Sequence, residues 1–399
     1  MKHRGFLCQA GILLALVLAA AVTVFSQTET VIYSFSGSTD GANPNGVIMD
    51  AKGKLYGTTV SGGTNGTGEV FRLAPNANGT WTKTEIYSFG IFPQPSTPCS
   101  GLIFDAQGNL YGETFSGGNG AGTVFQLSPQ SNGTWAATTI YSFVGGNDSA
   151  EWGSTLSMDA TGNLYGSTTG YSPNGYYGSI FELTPGANGV WTETVLHTFT
   201  GGNDGSFPSG QKLLIDSEGN VYGSAVNGGA HDYGVVFKLT RGTDGIWHEQ
   251  VLHAYTGGTD GSSTNTTLAF VAPGDLYGYS NYAVYELKQN SSGGWTKTDL
   301  HTFAGTPDGA NPNAALTIDS KGRIFGTTSS GGQHLGIVFA LSRSSQGTWN
   351  EAVLHRFASN RTEGVLPQYF GLVVDTKENL YGTTQYGGGG YGVVFKISH

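Results

Sequence analysis

Two carboxylates break the repeated pattern around them and are the first candidates for acid–base chemistry. Glu113 is the only charged residue at a position that recurs along the chain as Thr58, Ser167, Ser224, Tyr279, Thr327 and Thr383. Glu151, followed by Trp152, interrupts a different loop. Two carboxyl groups about 5–10 Å apart can cleave a glycosidic bond as acid and nucleophile. The sequence gives no distance between them, so catalysis by Glu113 and Glu151 is an alternative hypothesis and no catalytic residue is assigned.

Aromatic side chains accompany these carboxylates in the same group of loops. Aromatic rings pack against the C–H faces of sugars, and carboxylates accept hydrogen bonds from sugar hydroxyls. The sequence therefore predicts a ligand-binding set, with a glycan as the first ligand to test: Glu113, Glu151, Trp152, Tyr171, Tyr177, Tyr233, Tyr279 and Tyr282. The alternative is that the tyrosines pack against neighbouring glycine-rich loops.

Two other groups of polar residues invite a metal interpretation. The first is a recurring position that holds Tyr33, Tyr87, Tyr141, His197, His253, His301 and His355. A position shared by Tyr and His is expected to pack and hydrogen-bond rather than to form a metal site. The second group precedes glycine in loops and comprises Asp40, Asp204, Asp260 and Asp308. An aspartate before glycine is expected to form a turn, which explains these residues without a ligand. Weak Ca²⁺ binding is the alternative. The sequence therefore predicts no cofactor.

A repeat sets the framework for all of these residues. The tripeptide Leu-Tyr-Gly and its variants recur at intervals of 48 to 57 residues, beginning at Leu55, Leu110, Leu164, Val221, Leu276, Ile324 and Leu380. Each copy contains four β-strand patterns, which in the fourth copy cover 212–216, 220–225, 234–240 and 247–255. An Asp-x-x-Gly hairpin turn joins the first two patterns. Val271 replaces the Asp in copy five, and Glu378 replaces the Gly in copy seven, where we expect a rearranged turn because a left-handed backbone strains Glu378.

The chain ends predict how these units are joined. The seventh copy stops after its third strand pattern, whereas residues 29–35, "ETVIYSF", match the fourth pattern of other copies. Four antiparallel strands in seven copies are typical of blades arranged around an axis. The sequence thus predicts an all-β fold, a seven-bladed β-propeller of four-stranded antiparallel blades whose last blade is closed by the N-terminal strand. We expect residues 27–399 to form this single domain.

The repeat unit resembles a known family. The pattern "LxxDxxGNLYGTTxxGGxxxxGxVFxL", followed by "WxxxxLHxFxGGxDGxxP", is similar to the Gloeo/Verruco (GloVer) tandem repeat of exported bacterial proteins. The Asp-x-x-Gly-Asn hairpins also resemble those of NHL propellers. This resemblance implies a propeller in an exported protein, and it implies no defined activity.

Composition and the N-terminus narrow the class of function. A net charge of −10 disfavours nucleic-acid binding, and 65 glycines suit a turn-rich β fold. Residues 1–26 have the charged, apolar and small-residue regions of a signal peptide, and an uncleaved membrane anchor is the alternative. Cleavage would remove Cys8 and leave Cys99 as the remaining cysteine. We expect a secreted, periplasmic or cell-surface protein with no membrane span after cleavage.

These observations favour a binding or interaction module. The predicted partner is an extracellular polymer or protein, and we expect a monomer. We place the ligand on the side of the ring where the Gly-Gly-x-Asp-Gly loops meet the loops that follow Leu-Tyr-Gly, because those loops are the longest and most variable. The alternatives are a carbohydrate-active hydrolase or lyase that uses Glu113 and Glu151, and a structural cell-envelope protein.

Overall fold

A computed structural model describes most of the chain. The described residues are 28–146, 148, 155–168, 175–208, 212–263, 267–331, 335–358, 363–367 and 370–398. Glu151, Trp152 and Tyr171 lie outside them. The described residues contain no helix with the length and apolar character that a membrane span requires.

Seven antiparallel sheets, each built from inner, second, third and outer strands, form a seven-bladed β-propeller as predicted. The inner strands of blades 1 to 7 are Ala42–Met49, Ser96–Pro98 with Ile103–Phe104, Ser157–Met158, Leu214–Ile215, Ala269–Ala272, Ala310–Pro312 with Thr317–Ile318, and Val373–Val374. The second strands are Leu55–Ser61, Leu110–Ser116, Leu164–Thr168, Val221–Ala225, Asp275–Tyr279, Ile324–Ser330 and Leu380–Thr384. The third strands are Glu69–Pro75, Thr123–Pro129, Ser179–Pro185, Val235–Arg241, Ala283–Gln289, Ile337–Arg343 and Val393–Ser398. The outer strands are Trp81–Ser88, Trp135–Ser142, Trp191–Thr198, Trp247–Ala254, Trp295–Thr302, Trp349–Arg356 and, in blade 7, Thr28–Ser34.

Short elements complete the described structure. Gly364–Val365 pairs with Tyr386–Gly387 in a small separate ladder. Single 3₁₀ turns cover Ser38–Asp40, Ala187–Gly189 and Gly258–Asp260. The four strand patterns predicted for the fourth copy correspond to the four strands observed in blade 4, with bounds that differ by at most two residues.

The ring is closed by its two chain ends. The N-terminal strand Thr28–Ser34 pairs antiparallel with Val393–Ser398, so that Thr28 lies opposite Ser398 and Ser34 opposite Val393. The predicted closure is therefore confirmed. Because the N-terminal strand supplies the outer strand of blade 7, the third strand of that blade has a hydrogen-bonded neighbour on both sides.

The glycine of Leu-Tyr-Gly is required by an aromatic ring on the neighbouring strand. Gly57 lies opposite Phe71, and a Cβ atom at Gly57 would lie 2.7 Å from Phe71 Cζ. Phe71 in turn packs edge-to-face against Phe35, which follows the outer strand of blade 7, with ring centroids 5.1 Å apart. Equivalent ring pairs join the other adjacent blades: Phe89–Phe125, Phe143–Phe181, Phe199–Phe237, Tyr255–Tyr285, Phe303–Phe339 and Phe357–Phe395. The repeat thus encodes both the sheet and its contact with the next sheet.

The Asp-x-x-Gly hairpin is held by the aspartate side chain. In blade 4, Asp216 Oδ1 accepts hydrogen bonds from the amides of Glu218 and Asn220, both at 2.9 Å. Its Oδ2 accepts hydrogen bonds from Asn220 Nδ2 at 2.8 Å and from the Tyr222 hydroxyl at 3.0 Å. Because the acceptor, the turn and the tyrosine belong to one short segment, each hairpin organises itself locally.

Two hairpins depart from this arrangement in different ways. In blade 5, which lacks the aspartate, Ala272 lies opposite Asp275 across a tight turn that includes Gly274 at φ 73°. In blade 7, Glu378 adopts φ 64° and its amide still donates to Asp375 O at 3.0 Å. The expected rearrangement at Glu378 is therefore wrong: the residue accepts the left-handed conformation and the turn is kept.

Candidate functional site

The loops divide between two faces of the ring. The Asp-x-x-Gly turns and the turns that precede the outer strands line the same surface clefts, for example Asp50 and Gly79; we call this side the hairpin face. The loops that follow the outer strands and those that follow the second strands meet on the other side, the loop face. There, a Cβ atom at Gly62 would lie 2.6 Å from the backbone of Gly41.

Tyrosines on the loop face pack against glycines of the neighbouring loop. A Cβ atom at Gly201 would lie 2.6 Å from the ring of Tyr177. A Cβ atom at Gly257 would lie at the same distance from the ring of Tyr233, and one at Gly37 at the same distance from the ring of Tyr391. Tyr233 and Tyr391 keep 45% of their surface exposed. Each tyrosine belongs to a different blade boundary, so these rings are distributed around the face instead of meeting in one pocket.

The position of Glu113 lies between adjacent blades. At the equivalent position in blade 1, Thr58 Oγ1 donates to Ser100 O at 3.0 Å and accepts from Asn45 Nδ2 at 2.8 Å. Glu113 and Tyr279 are both fully buried, and the Glu113 amide donates to Ser100 Oγ at 2.7 Å. The structure therefore places these two predicted ligand contacts in the protein interior.

The remaining predicted contacts are not brought together in the described structure. Tyr177 and Tyr282 are half-buried, and burial raises the pKa of Tyr282. Glu151, Trp152 and Tyr171 fall outside the described residues, and their assignment stays a prediction. Cys99 is buried.

Three neighbouring clefts open on the hairpin face. The first, of about 800 Å³, lies between blades 7 and 1 and is lined by Trp81 and Tyr381. The second, of about 500 Å³, lies between blades 1 and 2, and the third, of about 520 Å³, between blades 2 and 3. Sequence reasoning missed these clefts because it assigned the hairpins a turn-forming role only. The signals were the tryptophan that opens six of the seven outer strands and the tyrosine of Leu-Tyr-Gly.

The three clefts share one construction. In each, the tryptophan of one blade packs edge-to-face against the Leu-Tyr-Gly tyrosine of the preceding blade, and both rings line the cleft. The centroid distances are 5.9 Å for Trp81–Tyr381, 6.3 Å for Trp135–Tyr56 and 6.2 Å for Trp191–Tyr111. Each tyrosine hydroxyl donates to the aspartate of its own hairpin, as Tyr111 does to Asp105 Oδ2 at 3.0 Å. Burial and the nearby Asp105 carboxylate raise the pKa of Tyr111 to about 12.

The first cleft also carries positive charge. Lys52, Lys377 and Lys396 line it, and Lys396 Nζ lies 5.9 Å from the centre of the Tyr381 ring. These cations belong to a chain whose net charge is −10. The described side chains that line the three clefts include no histidine, cysteine or serine that could serve as a nucleophile or its base. The three clefts present flat apolar rings and hydrogen-bonding groups, and the first also presents lysines.

The histidine positions lie on the loop face at the boundaries between blades. His253 Nε2 lies 3.1 Å from Asp260 Oδ1, so the expected hydrogen bonding of this position is confirmed. Further carboxylates lie close to the other histidines. Burial and Asp308 raise the pKa of Glu351 to about 8, and burial and Glu363 raise that of Glu29 to about 7. Burial lowers the pKa of His355.

A family model matches part of the repeat region. The model of the Gloeobacter/Verrucomicrobia repeat matches residues 18–177, which confirms the resemblance seen in the sequence motifs. No curated protein matches the chain significantly.

Solved structures share the fold at low sequence identity. Virginiamycin B lyase from Staphylococcus aureus is 14% identical with a TM-score of 0.54, covering 94% of this chain and 99% of that chain. A streptogramin B lyase structure is 14% identical with a TM-score of 0.54, covering 93% and 97%. The extracellular domain of a B. thetaiotaomicron protein described as a one-component system is 10% identical with a TM-score of 0.55, covering 92% of this chain and 40% of that chain. At these identities the likeness shows the propeller fold alone.

Proposed function

We propose that this protein is an exported binding module that holds an extracellular polymer, most simply a glycan, along the three clefts of its hairpin face. The observation that carries the proposal is the continuity of the clefts. The first and second share Met49, Asp50 and Ala51, and the second and third share Phe104, Asp105 and Ala106. Adjacent clefts of the same construction form a track for a ligand that itself repeats.

The physical basis of binding is the same at each step of the track. A half-exposed indole offers an apolar face to a sugar ring, and the polar groups of the hairpins supply hydrogen bonds to its hydroxyls. Weak contacts at three connected sites combine, because binding at one site raises the effective concentration of the polymer at the next. The three lysines of the first cleft favour a polymer with acidic groups.

Export is part of the proposal. Its support is the signal-like pattern of residues 1–26, which predicts passage to the cell surface, the periplasm or the medium. An extracellular polymer is the class of ligand that a protein at such a location would meet.

Retention on polysaccharides tests the proposal directly. Affinity electrophoresis of the purified protein through gels that contain neutral or acidic polysaccharides should show retardation, strongest with an acidic polymer. Trp81→Ala should weaken retention about tenfold, which corresponds to about 1.4 kcal/mol. The matched control is Trp247→Ala, an outer-strand tryptophan at the equivalent position that lines none of the three clefts.

Each other outcome contradicts the proposal in a distinguishable way. If no polysaccharide is retained, or if both tryptophan variants lose retention equally, the hairpin-face track is wrong. If Tyr233→Ala abolishes retention and Trp81→Ala does not, the ligand binds the loop face. If soluble products are released and Glu113→Gln stops their release, the protein is a carbohydrate-active enzyme.

A further inference from the structure

A three-residue cluster recurs where adjacent blades meet on the loop face. Each boundary cluster consists of the Tyr or His near the end of one outer strand, a carboxylate from the loop that follows, and a charged residue from the outer strand of the next blade. The six boundary clusters are Tyr33/Asp40/Lys83, Tyr141/Asp148/Glu193, His197/Asp204/Glu249, His253/Asp260/Lys297, His301/Asp308/Glu351 and His355/Glu363/Glu29. The third member is therefore a lysine in two clusters and a glutamate in four.

The two lysine clusters show that this position accepts a buried cation. Lys83 Nζ lies 3.2 Å from Asp40 Oδ1 and 2.6 Å from Glu69 Oε1, and its side chain is only 9% exposed. Lys297 Nζ lies 3.4 Å from Asp260 Oδ1 and 2.7 Å from Asp299 Oδ1, and its side chain is 7% exposed. In both clusters a buried ammonium group neutralises the surrounding carboxylates.

In three other clusters a glutamate takes the lysine's place beside a histidine and a second carboxylate. One ligand atom from each of His301, Asp308 and Glu351 lies within 4.8 Å of the others, and His301 Nε2 is 3.2 Å from Asp308 Oδ1. The same 4.8 Å limit holds for Glu29, His355 and Glu363. The cluster of His197, Asp204 and Glu249 has the same residue types but is less compact, because its three ligand atoms do not all lie within 4.8 Å of one another. We call the other two the compact clusters.

Several buried atoms of the two compact clusters have no hydrogen-bond partner among the described residues. They are Oε1 of Glu29, Oε1 of Glu351 and Nε2 of His355. A buried acceptor without a partner is destabilising, and two neighbouring carboxylates repel each other. A cation placed between them would remove both effects.

We propose that the two compact clusters, His301/Asp308/Glu351 and Glu29/His355/Glu363, each bind one divalent transition-metal ion, Zn²⁺ being the first to test, at the position that a lysine ammonium occupies in the two lysine clusters. One imidazole nitrogen and two carboxylate oxygens suit Zn²⁺, and the imidazole disfavours Ca²⁺ and Mg²⁺. Each ion would join two blades, either blades 5 and 6 or blades 6 and 7. The ions stabilise the ring and take no part in polymer binding, which belongs to the opposite face.

Metal titration tests the inference on the full chain. After treatment with EDTA and removal of the chelator, isothermal titration at neutral pH should show two Zn²⁺ bound per chain, and the thermal unfolding midpoint should rise with Zn²⁺. Glu351→Lys reproduces the natural lysine cluster, so this variant is expected to fold and to bind one ion. Lys297→Glu should raise the number to three. His248→Ala, which removes a mainly exposed histidine near Asp244, is the control and should leave two.

The alternatives are separated by the same measurements. The inference is wrong if Zn²⁺ does not bind, or if Glu351→Lys leaves the number of bound ions unchanged. It is also wrong if Ca²⁺ binds in the place of Zn²⁺ with higher affinity. If stability follows pH alone and is the same with and without Zn²⁺, the clusters hold protons and not metal ions.

Discussion

The pair Tyr255 and Tyr285 allows a sharp test of how adjacent blades are joined. Six boundaries are bridged by two phenylalanines, whereas the boundary between blades 4 and 5 is bridged by these two tyrosines. Both are fully buried, and the Tyr255 hydroxyl donates to the Tyr285 hydroxyl at 2.8 Å. Tyr255→Phe removes the donor and leaves the Tyr285 hydroxyl without this bond. A buried hydroxyl that loses its partner costs about 1–3 kcal/mol, so the free energy of unfolding should fall by that amount.

The double substitution should recover most of this loss. Tyr255→Phe with Tyr285→Phe recreates the pair found at the other boundaries, and replacing both hydrogen-bond partners by apolar groups of the same shape is nearly neutral. We therefore expect the double variant to lie within about 1 kcal/mol of the unsubstituted protein, with a coupling energy between the two positions.

Equilibrium urea unfolding of the four proteins measures this coupling. Tyr233→Phe, whose ring lies on the surface, serves as the control and should change stability by less than about 0.5 kcal/mol. The reasoning is refuted if Tyr255→Phe is as stable as the unsubstituted protein. It is also refuted if the double variant is no more stable than Tyr255→Phe alone.

Three further predictions concern closure, backbone strain and pH. Phe35→Ala leaves a cavity at a fully buried site next to the closing strand, and it should lower the free energy of unfolding in urea titrations by about 3–5 kcal/mol. A loss below about 1 kcal/mol would show that this site is not tightly packed. Glu378→Gly relieves the strain of the left-handed backbone and removes the ion pairs to Lys321 and Arg323. Because ion pairs at the surface contribute little to stability, we expect a higher thermal unfolding midpoint. A lower midpoint would show that the ion pairs contribute more than the backbone strain costs. Burial alone would raise the pKa of Asp216, but its hydrogen bonds lower the pKa on balance. The carboxylate therefore stabilises the fold above its ordinary pKa, and this stabilisation is lost as the pH falls through the lower folded-state value. In acid titrations, Asp216→Asn should lose stability less steeply than the unsubstituted protein, and an unchanged acid profile would contradict this assignment.

The repeat made the ring predictable from sequence. Seven copies of Leu-Tyr-Gly give seven second strands, and each tryptophan before an outer-strand pattern marks the first residue of that strand, as Trp247 does in blade 4. The closure followed from the match of residues 29–35 to the outer strands. These features depend on order along the chain, which is visible in the sequence itself.

Contacts between blades were not predictable in the same way. Trp81 and Tyr381 form one cleft although 300 residues separate them along the chain, and nothing in either repeat identifies the partner. Glu351 was overlooked because its position also holds lysine or alanine in other copies, so it has no conserved type. Glu113 attracted a functional interpretation because it departs from its column, and the structure places it in a buried position between blades.

Departures from the repeat occur in compensating groups, and this explains how the ring tolerates them. In blade 6, Phe325 lacks the hydroxyl that other blades direct to the hairpin aspartate, and Arg323 donates to Asp319 Oδ2 at 2.7 Å in its place. The same guanidinium donates to Glu378 Oε2 at 2.8 Å, and Glu378 is the residue that replaces glycine in the hairpin of blade 7. Three irregular residues in two blades thus form one network. A residue that departs from the repeat in one blade should therefore be compared with the adjacent blade, because the partner that stabilises it lies there.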